Sequence, residues 1–119
     1  MKQSLSKQLE SFYGSEHWYQ QAPFKIVFTD GVKYFAEKGE ANWAVTDIMA
    51  TAEALNQDFL VVTIEVADEK ATITYGADSG NEFIVARQEY EFTDLEAGIY
   101  KFYVIDDGFR KTMLLPSEY

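Results

Sequence analysis

The sequence has no cysteine, one histidine, two prolines and seven glycines, and its basic residues number half its acidic ones. Each shortage removes a class of chemistry. Without cysteine there is no disulfide, no thiolate metal site and no thiol nucleophile. With His17 as the single imidazole, a multi-histidine metal centre is excluded, and a Ser-His-Asp arrangement could only be built around that residue. His17 lies in Ser15-Glu16-His17-Trp18 and no GxSxG elbow occurs, so a structural histidine is the simpler reading. The glycines sit at turn positions and never make GxGxxG or GxxxxGK, which leaves no phosphate-cradling loop. No apolar run approaches a membrane span, and the leading MKQSLSKQLESFYG lacks an apolar stretch of signal-peptide length, so a soluble cytoplasmic protein is expected.

What is present is apolar and acidic. The 119 residues are 47% hydrophobic and 16% aromatic, enough to build one core and too much for a disordered chain. A single domain over residues 1–119 is expected. The net charge is −10, and it is uneven: residues 1–57 carry a net of −2 and residues 58–119 a net of −8. Such a field repels nucleic acid, so direct nucleic-acid binding is not expected, but it suits docking on a basic protein surface. Solubility alone explains it equally well.

The period of the apolar residues divides the chain in two. Leu5, Leu9, Phe12 and Tyr13 have helical spacing, with Gly14 as a stop. SEHWYQQAP reads as a connection that buries Trp18. FKIVF is a strand or an extended lead-in. In FTDGVKYFAE, Asp30 precedes Val32, Phe35 and Ala36 on one helical face, so its carboxylate is expected to cap a helix that Gly39 ends. A further helix runs from Ala41-Asn42-Trp43 to about Asn56, with Trp43, Val45, Ile48, Met49, Ala52 and Leu55 inward. Residues 1–57 are thus mainly helical. From Asp58 the period becomes two. FLVVTIEV puts Leu60, Val62, Ile64 and Val66 on one face and Phe59, Val61, Thr63 and Glu65 on the other. ATITY, the long stretch 82–92, IYKFYVI and FRKTMLL follow, joined by connections short enough only for antiparallel neighbours. The expected fold is α+β: N-terminal helices packed on one face of a four- to five-stranded antiparallel meander over residues 58–119.

No constellation here names a reaction. Asp106 and Asp107, with Asp94 or Glu96, are the only candidate for a carboxylate metal site. A DDG turn between strands explains the pair without metal, and neither metal nor cofactor is expected. The better candidate is a surface. Pairing of the strands 82–92 and 99–105 would gather Glu89, Glu91, Asp94, Glu96, Asp106 and Asp107 beside Tyr103 and other aromatics. Carboxylates interleaved with tyrosine make a docking face for a basic protein groove. The plainer use of such charges is to keep sheet edges from aggregating.

The blocks EHWY, FTDGVKYFAE, ANWAVTDIMA and LLPSEY resemble those of a family of small proteins of unknown function found in bacterial genomes, plasmids and phages. In that pattern Trp18-Tyr19, Phe28 to Glu37, Ala41 to Trp43, Asp47-Ile48 and Leu115 to Tyr119 are the matching positions, spanning nearly the whole chain. Where the family usually has Gly-Ala-Tyr-Trp, this chain has Glu40-Ala41-Asn42-Trp43. The resemblance implies a shared fold and a mobile-element setting, in which small acidic inhibitors of host defence complexes, CRISPR-type ones among them, are common. It implies no catalytic residues. Two readings follow. One is a non-enzymatic interaction protein that mimics nucleic-acid charge and occupies a basic, nucleic-acid-binding groove, as a monomer or homodimer. The other is a small enzyme or ligand-binding protein with a site around Trp18, Asp30, Trp43 and Asp47.

Overall fold

Alternation along FLVVTIEVA decides the architecture, because it commits four branched or leucine side chains to one side of an extended chain. In the computed structural model, which describes residues 4–12, 17–20, 26–55, 57–76, 84–106, 108 and 110–119, those side chains form the centre of the core. The described residues form helices α1 (Leu5–Leu9), α2 (Asp30–Lys38) and α3 (Asn42–Leu55). They also form strands β1 (Trp18–Gln20), β2 (Val27–Thr29), β3 (Phe59–Ala67), β4 (Lys70–Gly76), β5 (Ile84–Tyr90), β6 (Gly98–Asp106) and β7 (Lys111–Leu114). A 3-10 turn, Pro116–Glu118, closes the chain.

The strands make one seven-stranded sheet in the order β1-β2-β7-β6-β3-β4-β5. Every neighbouring pair is antiparallel except β2 and β7, which run parallel with Val27 opposite Thr112. The antiparallel strands expected from residues 58–119 are present, but they do not form a meander, because β6 returns beside β3 instead of pairing with β5; the sheet is also extended by two short strands from the helical half. Three-residue strands carry too little period to be read from sequence, and a parallel partner on the far side of two helices leaves no hairpin signal. Within the long stretch 82–92 the described strand is Ile84–Tyr90; residues 82 and 83 lie outside the described residues, and Phe92 is beyond the strand and exposed. Its hairpin loop, 77–81, lies outside the described residues, as do Tyr13, Gly14, Asn56, Asp107 and Phe109.

All three helices lie on one face. Leu60, Val62, Ile64 and Val66 of β3, Ala71, Ile73 and Tyr75 of β4, and Tyr100, Phe102 and Val104 of β6 meet Val32 and Phe35 of α2 and Val45, Ile48 and Met49 of α3. Phe35 packs its ring 4.9 Å from Phe102 and 5.3 Å from Tyr100. Trp43 and Leu55 are half-buried at the margin of this core. Trp18 departs from expectation: it stands on β1 at the sheet edge, 48% exposed, with the Arg110 guanidinium 5.1 Å from its ring. β1 is an edge strand whose one strand partner is β2; Lys33 of α2 lies over its Tyr19, and alternation puts Trp18 on the opposite face, half exposed. Among the described residues no helix is long and apolar enough to cross a membrane.

The end of α2 also differs. Gly39 keeps a right-handed φ of −88°, and Glu40 takes the left-handed conformation at φ 51° while Ala41 N–H donates back to the Ala36 carbonyl. That is a Schellman ending with glutamate where glycine is usual. Gly39 is required for space, since a Cβ there would lie 2.9 Å from both Leu5 Cδ2 and Leu95 Cδ1.

Candidate functional site

The TDG triplet shows how one carboxylate replaces another. α2 begins at Asp30, with Thr29 as the capping residue, and the Thr29 side chain makes no cap bond. Asp30 is the first helical residue instead of the cap; its Oδ1 accepts from the Tyr19 hydroxyl at 2.9 Å and lies 3.7 Å from His17 Nδ1. The free amide of the first turn is met from the other end of the chain. Glu118 Oε2 accepts from Gly31 N–H at 3.1 Å, while its Oε1 accepts from Thr29 Oγ1 at 2.6 Å and from Leu115 N–H at 3.0 Å. A negative charge at this position also suits the positive helix end. A Cβ on Gly31 would stand 2.5 Å from Leu115 Cδ1 and 2.7 Å from Glu118 Oε1, so a larger residue has to displace those two side chains. Tyr19 is held above its usual pKa, first by the hydrogen bond to Asp30.

At the opposite edge of the sheet, Asp47 of α3 accepts from the Tyr90 hydroxyl, and Trp43 packs edge-on to Tyr90 at 4.9 Å. Burial raises the Tyr90 pKa strongly, and the Asp47 hydrogen bond and charge raise it further. Gln88 links this pair inward, accepting from Tyr75 at 2.8 Å and donating to Thr51 at 3.1 Å. The four residues Trp18, Asp30, Trp43 and Asp47 are thus two separate clusters, one beside β1 and β2 and one beside β5. They do not share a cavity.

The acidic candidates are also redistributed. The strand stretches 82–92 and 99–105 do not pair; β3 and β4 lie between β5 and β6. A β3–β4 hairpin of only two turn residues draws β4 and then β5 to the far side of β3, while β6 returns to its near side. Glu89, Glu91, Asp94 and Glu96 stand at one end of the sheet, and Asp106 stands at the other, near Asp58. Eight residue steps of β6 separate the ends, about 26 Å at strand rise. Asp107 is outside the described residues. Asp106 is remote from Asp94 and Glu96, so neither of those two can join it at one metal ion.

In exchange, the fold adds three carboxylates that spacing did not single out. Register places Glu65 opposite Thr72 and Thr72 opposite Glu89, so both glutamates face outward in one row, and the hairpin turn Asp68–Glu69 projects beside them. The alternation of FLVVTIEV already turned Glu65 outward; what it lacked was the strand order. Glu65, Asp68, Glu69, Glu89, Glu91, Asp94 and Glu96 now share one end of the sheet. Arg87 sits 3.0 Å from Glu89, and Lys70 is the cation beside the turn. The loop that carries three of these residues is fixed: Thr93 N–H donates to the Glu69 carbonyl at 2.7 Å, Thr93 and Leu95 are buried, and the Tyr100 hydroxyl donates to the Glu96 carbonyl at 2.6 Å. Glu96 itself accepts from Leu5 N–H at 3.2 Å.

The outward face of the sheet has no covering helix among the described residues. Tyr103 lies on it, half-buried, its ring 5.3 Å from Phe59 and 5.6 Å from Tyr119. Tyr100 and Phe102, two of the other aromatics of the stretch 99–105, are inward and buried.

A scan of family models matches residues 3–119 to a family of unknown function, DUF6876. The chain belongs to that family. No curated protein and no solved structure matches it. Membership in DUF6876 assigns no role to any residue. Three of the sequence blocks that carried the resemblance, those containing Trp18-Tyr19, Thr29-Asp30-Gly31 and Glu118, are in contact at the start of α2, where they hold the two ends of the chain together.

Proposed function

We infer that the protein is a non-enzymatic binding protein whose acidic sheet end docks on a basic protein surface, one that otherwise binds nucleic acid. The observation that carries this is the convergence of seven carboxylates from β3, the β3–β4 turn, β5 and the β5–β6 loop, on a backbone anchored by buried Thr93 and Leu95. An anchored loop backbone presents this charge without losing loop entropy on binding, which favours affinity. Two of them sit on a turn that is poor for folding: Asp68 and Glu69 both hold positive φ, 54° and 65°, where Asn-Gly would be at ease. In its sharper form the reading makes the protein a mobile-element-encoded inhibitor of a defence complex that competes with nucleic acid for the same groove. The enzyme reading has less support, because its four residues form two clusters at opposite sheet edges.

The test is capture from the natural host with wild-type protein and with a variant carrying Glu65→Lys, Glu89→Lys and Asp94→Lys. A basic protein retained by wild type, lost by the variant and displaced by nucleic acid supports the reading. Equal capture by both proteins rejects it.

A further inference from the structure

β7 ends at Leu114, so it covers only half of its neighbour: β6 pairs with β7 from Tyr103 to Asp106, whereas it pairs with β3 along nearly its whole length. The direction of the remaining backbone groups follows from one bond. Asp106 N–H donates to the Asp58 carbonyl, so the even-numbered residues of β6 bond toward β3 and the odd-numbered ones toward β7. Tyr103 and Ile105 meet Leu114 and Thr112 there. Ile99 and Lys101 direct their N–H and C=O groups to the same side, where no described strand pairs with them. A cavity of about 390 Å³ lies along this stretch, lined by Leu9 and Glu10 at the end of α1, by Ile99 to Lys101, and by Leu115 to Ser117.

We propose that the unpaired edge of β6 at Ile99–Lys101 is a strand-addition site, which takes an extended, basic segment of a partner protein. The backbone pattern selects a strand, since two residues one apart offer two donors and two acceptors in ladder spacing. A segment laid along this edge beyond the Pro116–Glu118 turn has its residue opposite Tyr100 on the helix side, facing Leu9 and Leu115. The carboxylate there is Glu10, 71% exposed, with Lys7 4.0 Å away. A Lys or Arg at that position lays its stem on the leucines and its charge beside Glu10. Lys101 does not compete, because its side chain is on the outward face in register with Thr63. A second copy of this chain is disfavoured, since each carries a net charge of −10. The proposal takes only the sign of the partner's charge from the reading above; the site is a different one.

The probe is a synthetic acetylated and amidated heptapeptide alternating valine and lysine, followed by amide shifts and hydrogen exchange in NMR. Bound peptide should perturb and protect the Ile99 and Lys101 amides, and replacing its lysines with aspartate should abolish binding. Lys101→Pro removes one edge donor while leaving the β3 ladder intact, and should weaken the peptide at least tenfold; Glu10→Lys should weaken it severalfold. Circular dichroism and melting temperature confirm that each variant folds, and Ile99→Pro serves if Lys101→Pro does not. Glu89→Lys, at the acidic end, should leave peptide affinity within about twofold, so failure of the acidic-end reading stays separate. No binding, full affinity in both proline variants, shifts centred on Phe59 and Tyr103, or dimerisation of the free protein through this edge would each overturn the proposal.

Discussion

Glu118 makes three hydrogen bonds with one carboxylate, and two of its partners belong to the start of α2. Removing it leaves the Gly31 amide and the Thr29 hydroxyl without an acceptor in a part-buried setting. Glu118→Ala should therefore cost about 2–3 kcal/mol in urea unfolding. Asp30→Ala, which loses the Tyr19 bond and a favourable charge in the first turn, should cost about 1 kcal/mol. The reverse ranking would restore Asp30 as the cap. The buried tyrosines give a second residue-scale expectation. Burial pushes Tyr75 and Tyr100 up to about 12, from an unfolded value near 10. The folded state holds these protons more tightly, so their contribution is complete below pH 10 and is lost as pH rises through 12. Two units correspond to roughly 2–3 kcal/mol for each group. Tyr75→Phe should leave a shallower loss of stability between pH 10 and 12, measured by urea midpoints across that range.

Two elements end on glutamates in left-handed backbone: Glu40 after α2 and Glu69 in the β3–β4 turn. A side chain there costs on the order of 1 kcal/mol, and glycine removes that cost at the expense of a freer unfolded chain. Glu40→Gly and Glu69→Gly should each raise stability by about 0.5–1 kcal/mol in thermal unfolding. Glu69→Gly should also weaken partner binding, because it removes a carboxylate from the β3–β4 turn of the acidic end. Legibility also varied by element. Long segments with a clean period, the inward faces of β3 and β4 and the helices α2 and α3, were readable because many side chains vote for one geometry. β1 and β2 were not, since three residues carry no period and their partners lie far along the chain. The capping of α2 failed for the same reason: Asp30 is the local candidate, while the carboxylate that serves is distant by 87 residues. Of the proposed site, the outward direction of Glu89 was legible and its neighbours were not, because Glu65 and Asp106 exchange places once β5 is paired with β4 and β6 with β3.

At the scale of the molecule, the charge has two ends, and salt can separate them. The acidic end and the Asp58–Asp106 end are about 26 Å apart along β6, more than twice the Debye length of about 10 Å at 0.1 M salt. At 0.01 M the screening length is about 30 Å, and both ends act on an approaching basic partner. Reversal of Glu65 and Glu89 to lysine should therefore slow association with the captured partner at both salt concentrations. Reversal of Asp58 and Asp106 should slow it at 0.01 M and have little effect at 0.1 M, because only the net field is then altered and that field is screened. Dissociation should change mainly for the first pair, whose side chains are in the contact. Surface plasmon resonance on wild type and both double variants at the two concentrations measures this. Equal responses from the two variants at 0.1 M would mean that charge acts through the whole molecule and that the carboxylates of β3 and β5 form no contact of their own.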